Sequence, residues 1–373
     1  MITEVVTGCE KLTGLRVQWD ELARSDRRDG FFLTSTWYLA WMRHVQPHAQ
    51  PFVIVVRDDD GEIIGLAPLC KMPYRDHGLR LTSVSSAGRE VVSGDFLDYL
   101  SVQNRRDEVL TAILDFLWQM KNEWEILVVG EVSEGGDLHR SVESFAQAHG
   151  LSLRCQEERS CPYIELPATF EEYLRNLSPK MRYEIRRDTR EVLEKHGARI
   201  EVHTDPTQVS QNLDVLIQLH LSHWQRVNEP GTLGRPGFSD FLKEVCTSQS
   251  TGASTRLYIL KHEEKPAAAL LAFWFGDNAL FYQTGWDPDS PIARMSPGMV
   301  LISRAIRDAI EHPLRYFDFL RGDEPYKSRL TKLSRKTVTL LVARSFLAKE
   351  YLRVGSLKDS VKRLIGAAAE PNS

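Results

Sequence analysis

Residues 51–72 read PFVIVVRDDDGEIIGLAPLCKM, and residues 255–275 read TRLYILKHEEKPAAALLAFWF. Each is an apolar run rich in β-branched or aromatic residues, a short charged turn and a second apolar run, which is the pattern of a β-hairpin. Each is preceded by a segment with helical spacing and aromatic anchors. The first is TSTWYLAWMRHV with Trp37 and Trp41, and the second is LDVLIQLHLSHWQRV with Leu216, Leu219 and Trp224. Each is followed by an amphipathic helix, predicted over 106–121 and 297–312, that leads into an apolar strand, EILVVGEV or LRYFDFLRG. In the second copy Leu301, Ala305, Ile306 and Ile310 keep helical spacing, and Tyr316, Phe317, Phe319 and Leu320 read as a buried strand that ends at Gly322. Matching elements lie about 190–205 residues apart, so the order predicts two copies of one α/β domain rather than a short solenoid repeat. Hairpins and helices occur in any α/β protein; what carries the duplication is that order and spacing match together.

Composition agrees with that size. A chain of 373 residues suits two domains, with 42% hydrophobic and 26% charged residues as in ordinary globular proteins. The predicted division is 1–165, 166–345 and a C-terminal helix and tail over 346–373. A net charge of -4 gives no global field toward DNA or an acidic membrane. Five scattered cysteines, with no CxxC, fit neither a disulfide framework nor a zinc site and point to a reducing, cytoplasmic setting. No leader-like opening and no apolar run of about 18 residues is present. Serine-hydrolase, zinc-protease and Walker signatures are absent too.

Around residues 160–200 a strand-like CPYIELP precedes a well-marked helix: Ser178 as its cap, Pro179 in its first turn and Gly197 past its end. Met181, Ile185, Val192 and Leu193 form its apolar stripe. Lys180, Arg182, Arg186, Arg187 and Arg190 form a basic face, interleaved with Glu184, Asp188, Glu191 and Glu194. That face is either laced with ion pairs at i,i+4 or turned toward an anion.

Two clusters carry candidate chemistry. RMSPGMVLIS stands between a strand and the second-copy helix, where orphaned N–H groups and the helix dipole favour phosphate. There Gly298 would allow close approach, Ser296 would cap, and Arg294 would pair with the anion, although S-P-G is also an ordinary capping signal. The first copy has SVQNRRDEVL at that place, without a glycine. The second cluster, FDFLRGDEPYKSRL, delivers Arg321, Asp323, Glu324, Tyr326 and Lys327 to the end of a strand, where ligand groups gather in open α/β sheets. A carboxylate there could accept a proton and Tyr326 or Lys327 could assist a leaving group; a solvated polar loop would read the same way. His220, in register with Leu216, reads either as a core histidine or as a base; His223 lies beside it on the same helix.

SPKMRYEIRRDTREVLEKHG, LIQLHLSHW, YQTGWDPDSPIARMSPGMVL and YFDFLRGDEPYKSRLT, strung over about 170–332, together resemble the Fem/CelD-like acyltransferases of the GNAT superfamily, a bacterial group associated with exopolysaccharide or cellulose biosynthesis. The resemblance implies two tandem GNAT-like domains with mixed, mostly antiparallel sheets, the donor loop being degenerate in the first. It implies direct acyl transfer from acetyl-CoA or another acyl-CoA, without a metal, to an amine or hydroxyl of a small-molecule or saccharide acceptor. Arg294, Ser296, Gly298 and Met299 would then meet the donor pyrophosphate, and Asp323, Glu324, Tyr326 and Lys327 the acceptor. A Fem-type transfer from aminoacyl-tRNA, which the basic helix keeps open, and a non-catalytic accessory protein of polysaccharide biosynthesis are the alternatives. The tail from Phe346 to Ile365 reads as a mildly basic amphipathic helix, suited to packing on the domain or to contact with a membrane-bound complex, and AAAEPNS as disordered.

Overall fold

The computed structural model describes residues 1–26, 29–76, 78–226, 231–248 and 252–355. In it both hairpins form. β1 (Ile2–Val6) pairs with β2 (Gln50–Arg57), and β2 turns back into β3 (Ile63–Asp76), which pairs with β4 (Leu79–Ser86) and the short β5 (Leu100–Ser101). After the Arg106–Gln119 helix comes β6 (Ile126–Ser133), parallel to β4, and after the Asp137–Ala148 helix comes β7 (Ser152–Glu165). The second copy repeats the order with β8 (Arg199–His203), β9 (Ala253–His262), β10 (Lys265–Phe275) and β11 (Asn278–Trp286). The Pro297–Glu311 helix then leads to β12 (Tyr316–Asp318), parallel to β11, and the chain reaches β13 (Leu333–Ala343). His262 pairs directly with Lys265, so Glu263 and Glu264 alone make the turn, both at positive φ (47° and 62°) as a two-residue hairpin of matching twist demands.

The two copies build one sheet, in the order β1-β2-β3-β4-β6-β13-β7-β12-β11-β10-β9-β8. The last strand of each copy crosses the centre: β7 pairs with β12 and β13, and β13 inserts between β6 and β7. The separate sheets expected for the two copies are therefore joined through a pair of exchanged strands. Packing repeats the pattern. On one face the opening helices of both copies share a single core, in which Phe31 stacks on Phe273 at 4.5 Å and Trp37 meets Phe241 edge-on at 4.9 Å. On the other face each copy keeps a core of its own, under the Arg106–Gln119 and Asp137–Ala148 helices in the first and the Pro179–Arg190 and Pro297–Glu311 helices in the second. The anchors Trp37 and Trp41 are both buried.

The helix at 179 begins as its sequence predicts. The Ser178 hydroxyl accepts the Met181 N–H at 3.2 Å, Pro179 occupies the first turn, and Gly197 beyond its π-helical last turn (Glu191–Lys195) has φ 62°. Its arginines are held differently from the expected i,i+4 ladder: Arg186 reaches Glu171, Arg187 its neighbour Asp188, and Arg182 the carbonyls of Arg175 and Leu177. The tail is helical over residues 346–355; the remainder of the expected segment to Ile365 and AAAEPNS lie outside the described residues, as do the side chains of His223 and Trp224.

The shared core brings one backbone contact to its limit. A Cβ on Gly237, whose φ is +76°, would stand 1.8 Å from the His44 carbonyl oxygen of the other copy. Gly237→Ala is expected to cost about 3 kcal/mol or more in urea unfolding, whereas Gly14→Ala, in a helix with nothing within 4 Å of the new carbon, should be neutral or stabilising by up to about 1 kcal/mol.

Candidate active site

A fork opens in the second copy. The parallel strands β11 and β12 share only the rungs Asn278–Tyr316, Ala279–Phe317 and Leu280–Asp318. β11 then continues to Trp286 while the other chain turns away. The predicted strand to Gly322 stops at Asp318, because the Asp318 carboxylate accepts the Leu320 N–H at 2.8 Å and Leu320 itself takes a left-handed φ of 56°. On the other side of β11 the register slips between Leu271 and Ala272, leaving Tyr282 as an extra residue. Such a bulge bends and twists its strand. The Tyr282 hydroxyl is anchored on the Val92 carbonyl of the first copy at 2.7 Å.

The Pro297–Glu311 helix starts beyond the C-terminal end of β11. Ser296 does not cap it through its side chain, as had been expected; it sits in the left-handed region (φ 52°, ψ 55°), and its carbonyl takes the N–H groups of Met299 and Val300 at 2.9 and 3.2 Å. Pro297 has no N–H, so the first-turn donor left over among the described residues is that of Gly298. A Cβ at Gly298 would meet nothing within 4 Å, and its φ is an ordinary one. The fold does not require glycine there, since a side chain at that position would project into open space. Arg294 is exposed beside it, and Met299 and Trp286 pack half-buried against the apolar cluster of Phe281, Phe319 and Ile302.

On the opposite face, the Pro206–Arg226 helix crosses β11 so closely that a Cβ on Gly285 would lie 2.5 Å from the His220 backbone nitrogen. His220 is 5% exposed, and its Nδ1 lies 3.1 Å from the Thr284 carbonyl oxygen. A carbonyl only accepts, so Nδ1 carries the proton and Nε2 keeps the lone pair in the neutral ring. Thr284 belongs to the stretch of β11 beyond the last rung with β12.

The second cluster separates into two kinds of residue. Asp323 and Glu324 are exposed, and Tyr326 is half-buried, its phenol pushed up by burial and by nearby Glu324. Lys327 is only 3% exposed: its ammonium donates to the Arg321 carbonyl and pairs with Glu324, both at 2.9 Å. It therefore ties the loop to its own base rather than standing open to a leaving group.

Under that loop lies what the sequence reading missed. Arg321 donates from Nε to Asp95 at 2.5 Å and from Nη1 to Glu131 at 2.9 Å, its Nη2 reaches the Gly94 carbonyl, and its own N–H goes to Asp95 at 2.9 Å. Alongside, Arg335 on β13 bridges Asp29 and Asp318 at 2.8 and 2.7 Å while lying over Phe96 at 3.7 Å. Burial raises the carboxyls of Glu131 and Asp318, and Arg321 and Arg335 respectively pull them back. The one legible sign was Glu131, a carboxylate inside the apolar run EILVVGEV; its hydrogen-bond partners Arg321 and Thr337 are 190 and 206 residues away.

Among known proteins, residues 179–328 match the family described as "Acetyltransferase (GNAT) domain", a span holding both candidate clusters and His220. No curated protein matches by sequence. Among solved structures, FemX superposes with a TM-score of 0.62 at 12% identity, over 94% of this chain and 98% of its own. The C-terminal domain of a putative lysylphosphatidylglycerol synthetase from Agrobacterium fabrum gives 0.56 at 12% identity, over 93% and 97%. A conserved protein of unknown function from Bacteroides thetaiotaomicron gives 0.55 at 11%, over 92% and 100%. At such identities the structures establish the fold alone, and they share it over almost the whole chain.

Removing one member of a buried ion pair strands the other, at a cost of about 3–5 kcal/mol. Arg321→Met is expected to destabilise by that amount in urea melts, and adding Glu131→Gln should restore part of it. Taken together, the match over 179–328 and the duplicated fold describe an acyltransferase whose second copy carries an acetyltransferase (GNAT) domain, within a fold of two tandem GNAT-like units.

Proposed function

We propose that the protein transfers an acyl group, acetyl or a close relative, directly from acyl-CoA to an amine or hydroxyl, with the donor held in the fork between β11 and β12. The observation that carries this reading is the pairing of a wedge with an anion site. The strands part after Leu280 and Asp318, and the unclaimed Gly298 N–H stands at the helix start just beyond, at a position where an added Cβ would meet nothing. Gly298 and Arg294 would take the pyrophosphate, with the strained Ser296 shaping the turn and Met299 flanking the pantetheine arm. The thioester would enter between strands that no longer bond to each other, where main-chain donors are available to its carbonyl.

In the reaction the acceptor's nitrogen or oxygen attacks the thioester carbonyl and gives up its proton. The tetrahedral intermediate then expels the coenzyme thiolate as the C–S bond breaks. Holding both partners in line supplies much of the rate, and one base supplies the rest. We assign the base to His220, because its Nδ1–H is committed to Thr284 and Nε2 is the basic nitrogen. Asp323 and Glu324, exposed at the other lip, suit recognition of a cationic or hydroxyl-rich acceptor, and Tyr326 suits protonation of the leaving thiolate. A saccharide or other envelope acceptor fits this lip; association with exopolysaccharide synthesis remains part of the proposal.

A second reading, transfer from aminoacyl-tRNA, is favoured by one feature. Arg182, Arg186, Arg187 and Arg190 line a groove of about 340 Å³ beside exposed Tyr183, a surface suited to a polyanion.

Titration calorimetry with acetyl-CoA and coenzyme A decides between donors. Wild type should bind both, and Gly298→Asp should lose binding by at least about 100-fold while melting as wild type, since the new side chain meets open space. Full binding in that variant would remove the fork as the donor site. His220→Gln should keep donor affinity and lower kcat about 10²–10⁴-fold, with Glu324→Gln changing chiefly the acceptor KM. An unchanged kcat in His220→Gln would dismiss it as the base.

A further inference from the structure

Away from the fork, the outer side of the Pro297–Glu311 helix borders a hollow of about 180 Å³. Leu193, Ile200 and Val300 give it apolar walls, and Leu193 belongs to the π-helical turn Glu191–Lys195. Turns of that kind sacrifice regular hydrogen bonding and recur at functional sites. Ser303 also lines the hollow. It is 5% exposed, and its hydroxyl has no hydrogen-bond partner. A helical serine usually returns its hydroxyl to a carbonyl one turn back, and a buried hydroxyl left without a partner is costly. Two arginines stand at the rim. Arg304 is neutralised by Asp308 at 2.7 Å, whereas Arg307 lies over the Phe170 ring at 4.4 Å with no carboxylate paired to it among the described residues.

Apolar walls, one buried hydroxyl awaiting a partner and one uncompensated guanidinium at the mouth define a ligand with a short hydrocarbon body and an anionic end. We propose that this hollow binds an aliphatic carboxylate of about four to six carbons, a size judged from the benzene that fills a 150 Å³ cavity. The chain would lie against Leu193, Ile200 and Val300, and the carboxylate would accept from Ser303 and Arg307. The site is separate from the fork and does not depend on which donor is used there.

The test is calorimetric titration of the full chain with sodium hexanoate, with hexylamine and hexanol as probes of the charged end. Hexanoate is expected to bind and hexylamine not to, with hexanol at least about 10-fold weaker than hexanoate. Arg307→Leu, a surface change that leaves the fold alone, should weaken hexanoate about 10-fold or more, and Ser303→Leu should fill the hollow and abolish binding. Saturating acetyl-CoA should leave the hexanoate isotherm unchanged. Absence of hexanoate binding at about 10 mM, where even a weak site would register, would overturn the proposal. So would binding that survives Arg307→Leu at full strength, or that acetyl-CoA displaces, since the latter would put hexanoate in the fork.

Discussion

The guanidinium of Arg321 is the fixed point around which the polar loop of the second copy is arranged. It is buried at the seam between the two copies and claimed on three sides by groups of the first copy: the Asp95 carboxylate, the Glu131 carboxylate and the Gly94 carbonyl. Desolvating such a charge is expensive, and only partners in good geometry offset the cost. The backbone of Arg321 is consequently fixed too, and its carbonyl is what Lys327 grips. The short loop bearing Asp323, Glu324 and Tyr326 is thus positioned by residues some two hundred positions earlier in the chain. The first copy, with no glycine at its own helix start, still takes part in the site as the anvil beneath the second copy's loop.

Pseudo-symmetry explains several oddities at once. Past the last parallel rung of each copy comes a left-handed non-glycine residue with φ 56°: Glu131, inside β6 and three residues after Val128, in the first copy, and Leu320, two residues after Asp318, in the second. In the second copy the turn opens the fork; in the first it aims a carboxylate across the seam at Arg321. The same backbone device opens a fork on one side and supports a structural clamp on the other. At the start of the first-copy helix, Arg106 is occupied by Asp98, Asp137 and the Tyr99 carbonyl. A cation so committed leaves little for a phosphate to meet.

What could be read from the sequence was what local physics determines. Alternation and turn chemistry mark the hairpins at 51–72 and 255–275, and Ser178, Pro179 and Gly197 mark a helix, because each signal acts within a few residues. The α/β class and the duplication followed from the order of those signals. Long-range pairing was out of reach. Nothing in the letters of β7 or β13 says that each lies beside the other copy's parallel strand, nor that Asp29 and Arg335, 306 residues apart, meet. The errors were also local in origin. Ser296 looked like a cap, but its backbone is left-handed (φ 52°, ψ 55°) where Ser178, which does cap, has φ -57° and ψ 150°, and its side chain makes no cap bond. The run from Tyr316 to Leu320 looked like continuous strand because its side chains are apolar, whereas Asp318 uses its carboxylate to end the strand early. Lys327 was grouped with the exposed residues of its loop because sequence does not report burial.

The exchange of β7 and β13 has a consequence for how the protein is made. During synthesis β7 is finished at Glu165, yet the strand that lies between it and β6 begins only at Leu333. At ordinary ribosomal speeds of about 5–20 residues per second, the interval from Glu165 to Leu333 lasts about ten to thirty seconds. For that time the nascent first copy carries two unsatisfied strand edges flanking an empty slot, an arrangement that invites pairing with other chains. The single sheet is therefore a commitment that the growing chain cannot honour until β13 has emerged. A chaperone that shields strand edges would matter more to this protein than to one whose two halves close independently.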